Sequence, residues 1–318
     1  MNAGLCRRAA RRGRRIVFAF APGVAEPALV VCVLLRRFRR KRRSSSTPLW
    51  LICRSFTRRF AQALVGSTAM KVRLFSMPGS HAATTGQLLF DHKGINYKRT
   101  DLLPVVSWVV LKTLRFPEVT VPAAKIDGER VQGTRAIARE LERRKPEPPL
   151  FPADPERRRV VEEAERFGDE ELQQRVREIF LWSARKDGSG LVGYLEGAKI
   201  GMPHRVAART AGPFIALDAR SRGATDDNVR RAIAAFPGML QRIDDWIEEG
   251  ILGGEPPNAA DLQIAPSLRL AMSLDDLRPA IEGRPAGRLA TQIVKHFPGR
   301  TPAVLPPEWL EPITASSG

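Results

Sequence analysis

The sequence predicts an α/β half at residues 70–145 and an all-helical half at residues 156–300. Short alternating segments and helical segments follow one another in the order β-α-β-α-β-β-α before residue 145. A stiff linker with five prolines in eleven residues, 145–155, separates the halves. After the linker only helical periodicity remains, which predicts a change of fold class along the chain.

Each element of this order has a local signal. Alternating polar and apolar residues predict a strand at 71–75, and further strands are predicted at 96–101, 119–127 and 130–132. Helices are predicted at 82–92 and 133–144, and a short helix with loops at 102–116. In the second half, helical spacing predicts a long helix at 156–186 and further helices at 203–222, from Thr225 onward, at 258–270 and at 284–296. Residues 301–318 are interpreted as a tail.

The net charge of +18 is concentrated at the beginning of the chain. Residues 1–69 hold sixteen of the 52 basic residues and only one, Glu26, of the 34 acidic residues. The rest of the chain is nearly neutral, so nucleic-acid or membrane binding is expected only through residues 1–69, if at all.

Residues 1–69 are interpreted as a basic extension, disordered or upstream of a true start at Met70. An organelle-targeting role, or contact with a membrane or nucleic acid, are the alternatives. The apolar stretch 16–35 is long enough to span a membrane, but Pro22, Glu26 and Pro27 make spanning costly.

Cysteine is absent from Met70 onward, because Cys6, Cys32 and Cys53 all lie in the extension. The globular part therefore has no disulfide, no thiolate metal site and no cysteine nucleophile. His204 and His296 lack metal-ligand spacing, so no metal is expected.

Four local motifs stand in a recognisable order. They are the strand and Pro78-Gly79-Ser80 turn before a helix ending in Lys93-Gly94, the turn 120–123, the segment 132–137, and Asn258 with Asp261 as a helix-capping box. In this order they resemble the cytosolic-type glutathione S-transferase superfamily, over about residues 70–298. The resemblance implies a thioredoxin-like N-terminal domain and an all-α C-terminal domain, together the glutathione transferase fold.

The resemblance also implies a site for glutathione. The Val121–Pro122 bond is expected to be cis, with the Val121 backbone pairing with the extended thiol peptide. Thr134, flanked by Gly133 and Arg135, opens a helix whose N-terminus would hold the γ-glutamyl carboxylate. Arg135 is interpreted as a solvated helix residue rather than a clamp.

Thiol activation falls to a serine in this resemblance. Ser80 lies at the spacing of the serine-type classes, and Ser76 is the second candidate. A serine before a helix can also be only an N-cap. His81 is expected either to hydrogen-bond the ligand or to face solvent.

The implied function is conjugation or reduction of an electrophile by glutathione or a similar small thiol, as in detoxification. The electrophile would lie against the long helix, where Glu178, Trp182 and Arg185 either line the site or pack in the core. Gly133 replaces the usual acidic residue or glutamine, and residues 82–85 lack an arginine found in the family. Both departures support the alternative of a non-catalytic binding or scaffold protein. A cytoplasmic homodimer is expected.

Overall fold

The computed structural model describes residues 70–104 and 106–315. The interpretations made for residues 1–69 lie outside these residues. Within the described part, no helix is both long and apolar enough to cross a membrane.

A four-stranded mixed sheet forms the centre of the first half. Its strands are β1 (Val72–Ser76), β2 (Lys98–Asp101), β3 (Ala123–Ile126) and β4 (Glu129–Gln132), in the spatial order β2-β1-β3-β4. Strand β1 is parallel to β2 and antiparallel to β3, which is antiparallel to β4. Val72 and Leu74 are buried while Arg73 is exposed, so the alternation seen in the sequence is confirmed.

Three helices cover the sheet from both sides. They are α1 (His81–His92), α2 (Val106–Thr113) and α3 (Thr134–Arg144). Leu74, Leu89 and Ile137 belong to the large core that α1 and α3 share with the helical half. Phe75, Leu111 and other apolar residues form a separate small cluster under α2. This layering is thioredoxin-like, as the resemblance implied.

The second half is helical throughout. Its elements are α4 (Pro155–Phe167), a π-helical segment (Gly168–Leu172), α5 (Gln173–Lys186), a 3₁₀ segment (Ser189–Leu195), α6 (His204–Thr210), α7 (Gly212–Ser221), α8 (Asp226–Glu248), α9 (Ala259–Met272), α10 (Arg278–Glu282), α11 (Pro285–Ile293) and α12 (Pro307–Ala315).

Several predicted boundaries change. The long helix predicted at 156–186 contains the π-helical segment, and the helix predicted at 203–222 is two helices because Pro213 opens α7. Residues 119–122 are loop rather than strand. The segment interpreted as a tail contains α12, whose Trp309 and Ile313 are buried.

Helix α9 joins the two halves. Nearly all of its residues are buried, and it packs against α1, where His81 Nδ1 lies 3.1 Å from Ser267 Oγ. The predicted capping box is confirmed: Asn258 Oδ1 accepts from the Asp261 N–H at 3.1 Å, and Asp261 accepts from the Asn258 N–H at 2.9 Å. Burial raises the pKa of Asp261 to about 6.

Candidate functional site

A cleft of about 390 Å³ lies where the sheet half meets the helical half. One wall comes from the turn after β1, the start of α2, the loop before β3 and the start of α3. The other comes from the π-helical segment, α5, the 3₁₀ segment, α6 and α7. Residues from distant parts of the chain thus share one cavity.

Ser80 lines this cleft as the N-cap of α1. Its Oγ accepts a hydrogen bond from the Ala83 N–H at 3.3 Å. A hydroxyl has one donor and two acceptor positions, so this capping bond leaves the Ser80 proton free for a ligand. The N-cap interpretation and the ligand-binding interpretation are therefore compatible.

Gly79 lets the chain approach the 3₁₀ segment at this turn. Its φ is +70°, and a Cβ there would lie 2.8 Å from Tyr194 Cβ. Tyr194 also lines the cleft, but its hydroxyl bonds Ser273 Oγ at 2.7 Å and Thr301 Oγ1 at 2.9 Å. That hydroxyl is engaged within the fold, whereas the Ser80 hydroxyl remains available to donate.

Ser76, the second candidate, does not line the cleft. It is buried at the end of β1, where its Oγ accepts from Gln87 Nε2 at 3.3 Å. The strand extends one residue beyond its predicted end and carries Ser76 into the interior.

His81 lines the cleft and is almost fully buried, so the solvent-facing interpretation is wrong. Its Nδ1 contacts Ser267, whereas no described residue bonds its Nε2. Burial and the nearby positive charge of Arg177 lower the pKa of His81 well below 6.5. The ring is therefore neutral at physiological pH.

The Val121–Pro122 peptide bond is cis, as expected. Both residues line the cleft, and the Pro122 carbonyl accepts from the Gly133 N–H at 3.0 Å. Within the described residues, no hydrogen bond engages the N–H or C=O of Val121. A short unpaired backbone edge therefore faces the cavity.

Helix α3 points its N-terminus toward the same cavity. Gly133 is the N-cap without a side-chain cap, and Gly133 and Thr134 both line the cleft. Arg135 does not line it, because its guanidinium pairs with Glu170 at 2.8 Å. Gly133 has φ 85° and ψ 149°, a conformation that is essentially restricted to glycine.

Asp169, which the sequence reasoning missed, faces this helix start. It lies in the π-helical segment, accepts from Thr134 Oγ1 at 3.4 Å and lines the cleft. Burial raises the pKa of Asp169, and Arg135 acts in the opposite direction. The Asp169 carboxylate therefore lies beside the start of α3, where Gly133 has no side chain of its own to offer.

The face of the long helix toward the cleft also differs from the expectation. Gln173, Arg177, Phe180 and Leu181 line the cavity. Glu178, Trp182 and Arg185 do not: Glu178 pairs with Arg175, Trp182 is buried and donates to Asp226 at 2.7 Å, and Arg185 is exposed. Polar residues at steps of four, Asp169, Gln173 and Arg177, were the signal that could have identified this face.

Residues 74–149 match the family described as "Glutathione S-transferase, N-terminal domain". The sheet-containing half belongs to the glutathione S-transferase superfamily. The match confirms the resemblance, and the matched residues contain Ser80, the Val121–Pro122 turn and Thr134. No curated protein matches the chain significantly.

The solved structures that are similar to the chain include the following three. A glutathione S-transferase from Rhodospirillum rubrum F11 is 18% identical, with 76% of this chain and 99% of that chain covered and a TM-score of 0.47. Maleylacetoacetate isomerase from Anaeromyxobacter dehalogenans 2CP-1, with glutathione bound, is 21% identical over 78% and 95%, at 0.40. FzlA from C. crescentus is 17% identical over 76% and 99%, at 0.44. These scores are too low to carry a reaction or a ligand across to this chain.

Proposed function

We propose that this glutathione transferase-like protein binds glutathione, or a similar small thiol, in the cleft and uses the thiol to conjugate or reduce an electrophile. One observation carries the proposal: the unpaired edge at Val121, the open start of α3 at Thr134 and the Ser80 hydroxyl line the same cavity. An extended peptide edge, a carboxylate and a thiolate are the groups that these three features suit.

Ser80 is proposed to stabilise the thiolate. A free thiol has a pKa of about 8.5, so only a small fraction is ionised at neutral pH. The Ser80 O–H and the N-terminus of α1 would favour the anion, while the proton passes to solvent. The sulfur then forms a bond to the electrophilic carbon, and either a leaving group departs or a neighbouring carbon is protonated.

Asp169 is proposed to bind the ammonium group of the γ-glutamyl end. Gly133 offers no side chain there, and the Asp169 carboxylate is next to the Thr134 hydroxyl that would meet the ligand carboxylate. The two charges of the amino acid end would then find opposite partners within one pocket. This arrangement compensates for the departure seen at Gly133.

Calorimetry with glutathione on the full chain tests the thiol site. We expect Thr134→Ala and Asp169→Asn each to weaken binding about tenfold, because each removes a hydrogen bond to a charged group. Ser80→Ala should bind glutathione nearly normally, but its kcat with an electrophile should fall about 10- to 100-fold. Ser107→Ala, in the same cleft, and Ser76→Ala, outside it, should keep the wild-type kcat. Absence of binding at about 10 mM glutathione would reject the proposal.

A non-catalytic binding or scaffold protein is the second candidate. The engagement of Thr134 by Asp169 and the absence of a side chain at Gly133 favour it, since both reduce the contacts available to glutathione. Thiol binding without turnover of any electrophile, in wild type and Ser80→Ala alike, would support this candidate instead.

We also propose a cytoplasmic homodimer. Apolar side chains exposed on α6 and α7, namely Val206, Phe214 and Leu217, support an association surface. Sedimentation of the wild type against Phe214→Glu tests it: a monomeric wild type would reject the dimer.

A further inference from the structure

Arg177 and Arg222 lie on the cleft wall formed by the helical half. Arg177 belongs to α5, and Arg222 follows α7 as its C-cap. The positive charge of Arg222 acts on the Arg177 guanidinium. Two like charges beside one cavity repel each other, and an anion bound between them would offset that repulsion.

Arg177 has no partner within the described part of the chain. No hydrogen bond or ion pair involves its guanidinium, although the side chain is partly buried. Burial, followed by repulsion from Arg222, lowers the pKa of Arg177 to about 10. It therefore remains cationic at neutral pH, and an unpaired cation in such a position is costly.

The nearby acids do not satisfy it. Asp218 pairs with Arg222 at 3.4 Å, and Glu178 pairs with Arg175 at 3.3 Å. Asp169 accepts from Thr134 at 3.4 Å and from Gln173 at 3.3 Å. Each carboxylate thus has another partner, so the three acids attract Arg177 without forming an ion pair with it.

Apolar side chains supply much of the rest of the cleft lining. Leu103 and Trp108 line the cleft from the sheet half, and Phe180, Leu191 and Ile215 line it from the helical half. A guanidinium matches a carboxylate geometrically, while these walls suit a hydrocarbon or aromatic body.

We propose that the electrophile taken by this cleft is an apolar organic acid, whose carboxylate binds Arg177 with Arg222 while its body lies against Trp108 and Phe180. This inference rests on the proposed function for the reaction itself, but the binding of the acid can be measured without any thiol.

A matched pair of probes separates charge from shape. 4-Chloro-3-nitrobenzoate carries the acid, and its methyl ester lacks the charge. In the reaction, the thiolate sulfur bonds to the chlorine-bearing ring carbon, the C–Cl bond breaks, chloride leaves, and the thiol proton goes to solvent. Both probes react by this same route. To compare them, the enzymatic rate with each probe is divided by the uncatalysed rate of that probe.

Calorimetry on the full chain without thiol gives the first readout. We expect the acid to bind at least about tenfold more tightly than the ester, and Arg177→Met to remove that preference. Arg177→Lys should retain part of it because the charge remains. Arg185→Met, on the exposed face of the same helix, is the matched control and should bind both probes as the wild type does.

Three outcomes would overturn the proposal. They are equal affinity for acid and ester, an Arg177→Met variant that keeps the preference while melting normally, and inorganic phosphate that binds as tightly as the acid. A loss of glutathione affinity in Arg177→Met as large as the loss for the acid would assign Arg177 to the thiol instead. If the acid binds as expected but glutathione does not, the acid site stands and the thiol proposal fails.

Discussion

Ser80 shows that a single hydroxyl can stabilise the fold and still be available for a ligand. It accepts from the Ala83 N–H, and accepting uses a lone pair rather than its proton. A Ser80→Asp variant would keep the cap but place a negative charge against the proposed thiolate. The proposed ligand role would therefore depend on the hydroxyl proton, whereas the capping role depends only on an oxygen.

The buried His81 ring should make the stability of the fold depend on pH. Its pKa is lowered well below 6.5, so an unfolded chain takes up a proton near pH 6 that the folded chain does not. Stability contributed by this group is present above pH 6.5 and is lost as the pH falls, by up to about 1.4 kcal/mol per pH unit. Urea unfolding at pH 7.5 and 5.5 should show a smaller loss in His81→Gln than in wild type. Identical losses would contradict the burial argument.

Gly133 gives the second prediction. Its backbone conformation is strained for any residue with a Cβ, although no atom would clash with one. Gly133→Ala should therefore lower the free energy of unfolding by about 1–3 kcal/mol. Gly238 is the matched control: it lies exposed within α8, where an added Cβ meets nothing within 4 Å. Gly238→Ala should stabilise the protein by about 0.5–1 kcal/mol, so destabilisation by both variants would point to a cause other than backbone strain.

The residues that the sequence could predict lie in continuous motifs. Ser80, Pro122 and Thr134 each stand next to a turn or a helix start that marks them locally. Asp169, Arg177 and Arg222 carry no such mark, because only the packing of two distant helices brings them to the cleft. The charge of a helix residue does not by itself distinguish a solvated face from a cavity.

At the scale of elements, the π-helical segment decides which side chains of the long helix reach the cleft. A widened turn at Gly168–Leu172 changes the phase between α4 and α5. Asp169, within it, faces α3, and Arg177 follows two turns later on the cavity side. A prediction that continues one regular helix from residue 156 misses this rotation, and it therefore assigns the wrong side chains to the cleft. Glu178 and Trp182 are therefore buried in packing and Arg185 is exposed, so none of the three reaches the cleft.

Lys93 connects α1 to the proline-rich linker and gives a prediction at this scale. Its buried Nζ donates to the carbonyls of Pro146 at 2.9 Å and Pro148 at 2.6 Å, and it pairs with Glu142. Lys93→Met leaves these acceptors unsatisfied, so unfolding by denaturant should show a loss of about 3–5 kcal/mol.

Lys125→Met is the control for that variant, because Lys125 is exposed on β3 and should change stability by less than about 0.5 kcal/mol. If Lys93→Met were as stable as this control, the linker would be held by its prolines and apolar contacts alone.

At the scale of the whole molecule, the cleft depends on how the sheet half meets the helical half. Helix α9 holds the two halves together, because it is almost completely buried and its Ser267 contacts His81 of α1. The sequence predicts both halves and the capping box that begins α9. It does not predict the contact between α1 and α9, since no local pattern records which faces will meet.

The last element, α12, closes the helical half and gives the prediction at this scale. Trp309 is buried against Trp182, with ring centroids 5.2 Å apart, and Arg230 lies over its ring at 5.1 Å. Trp309→Ala should therefore cost about 3–5 kcal/mol in the free energy of unfolding. Trp309→Phe keeps part of the packing and should cost less, and neither variant should change glutathione affinity, because Trp309 is not part of the cleft lining. A Trp309→Ala protein as stable as wild type would mean that α12 does not hold the helical half together. Loss of thiol binding in a folded Trp309 variant would mean that the cleft depends on this distant packing.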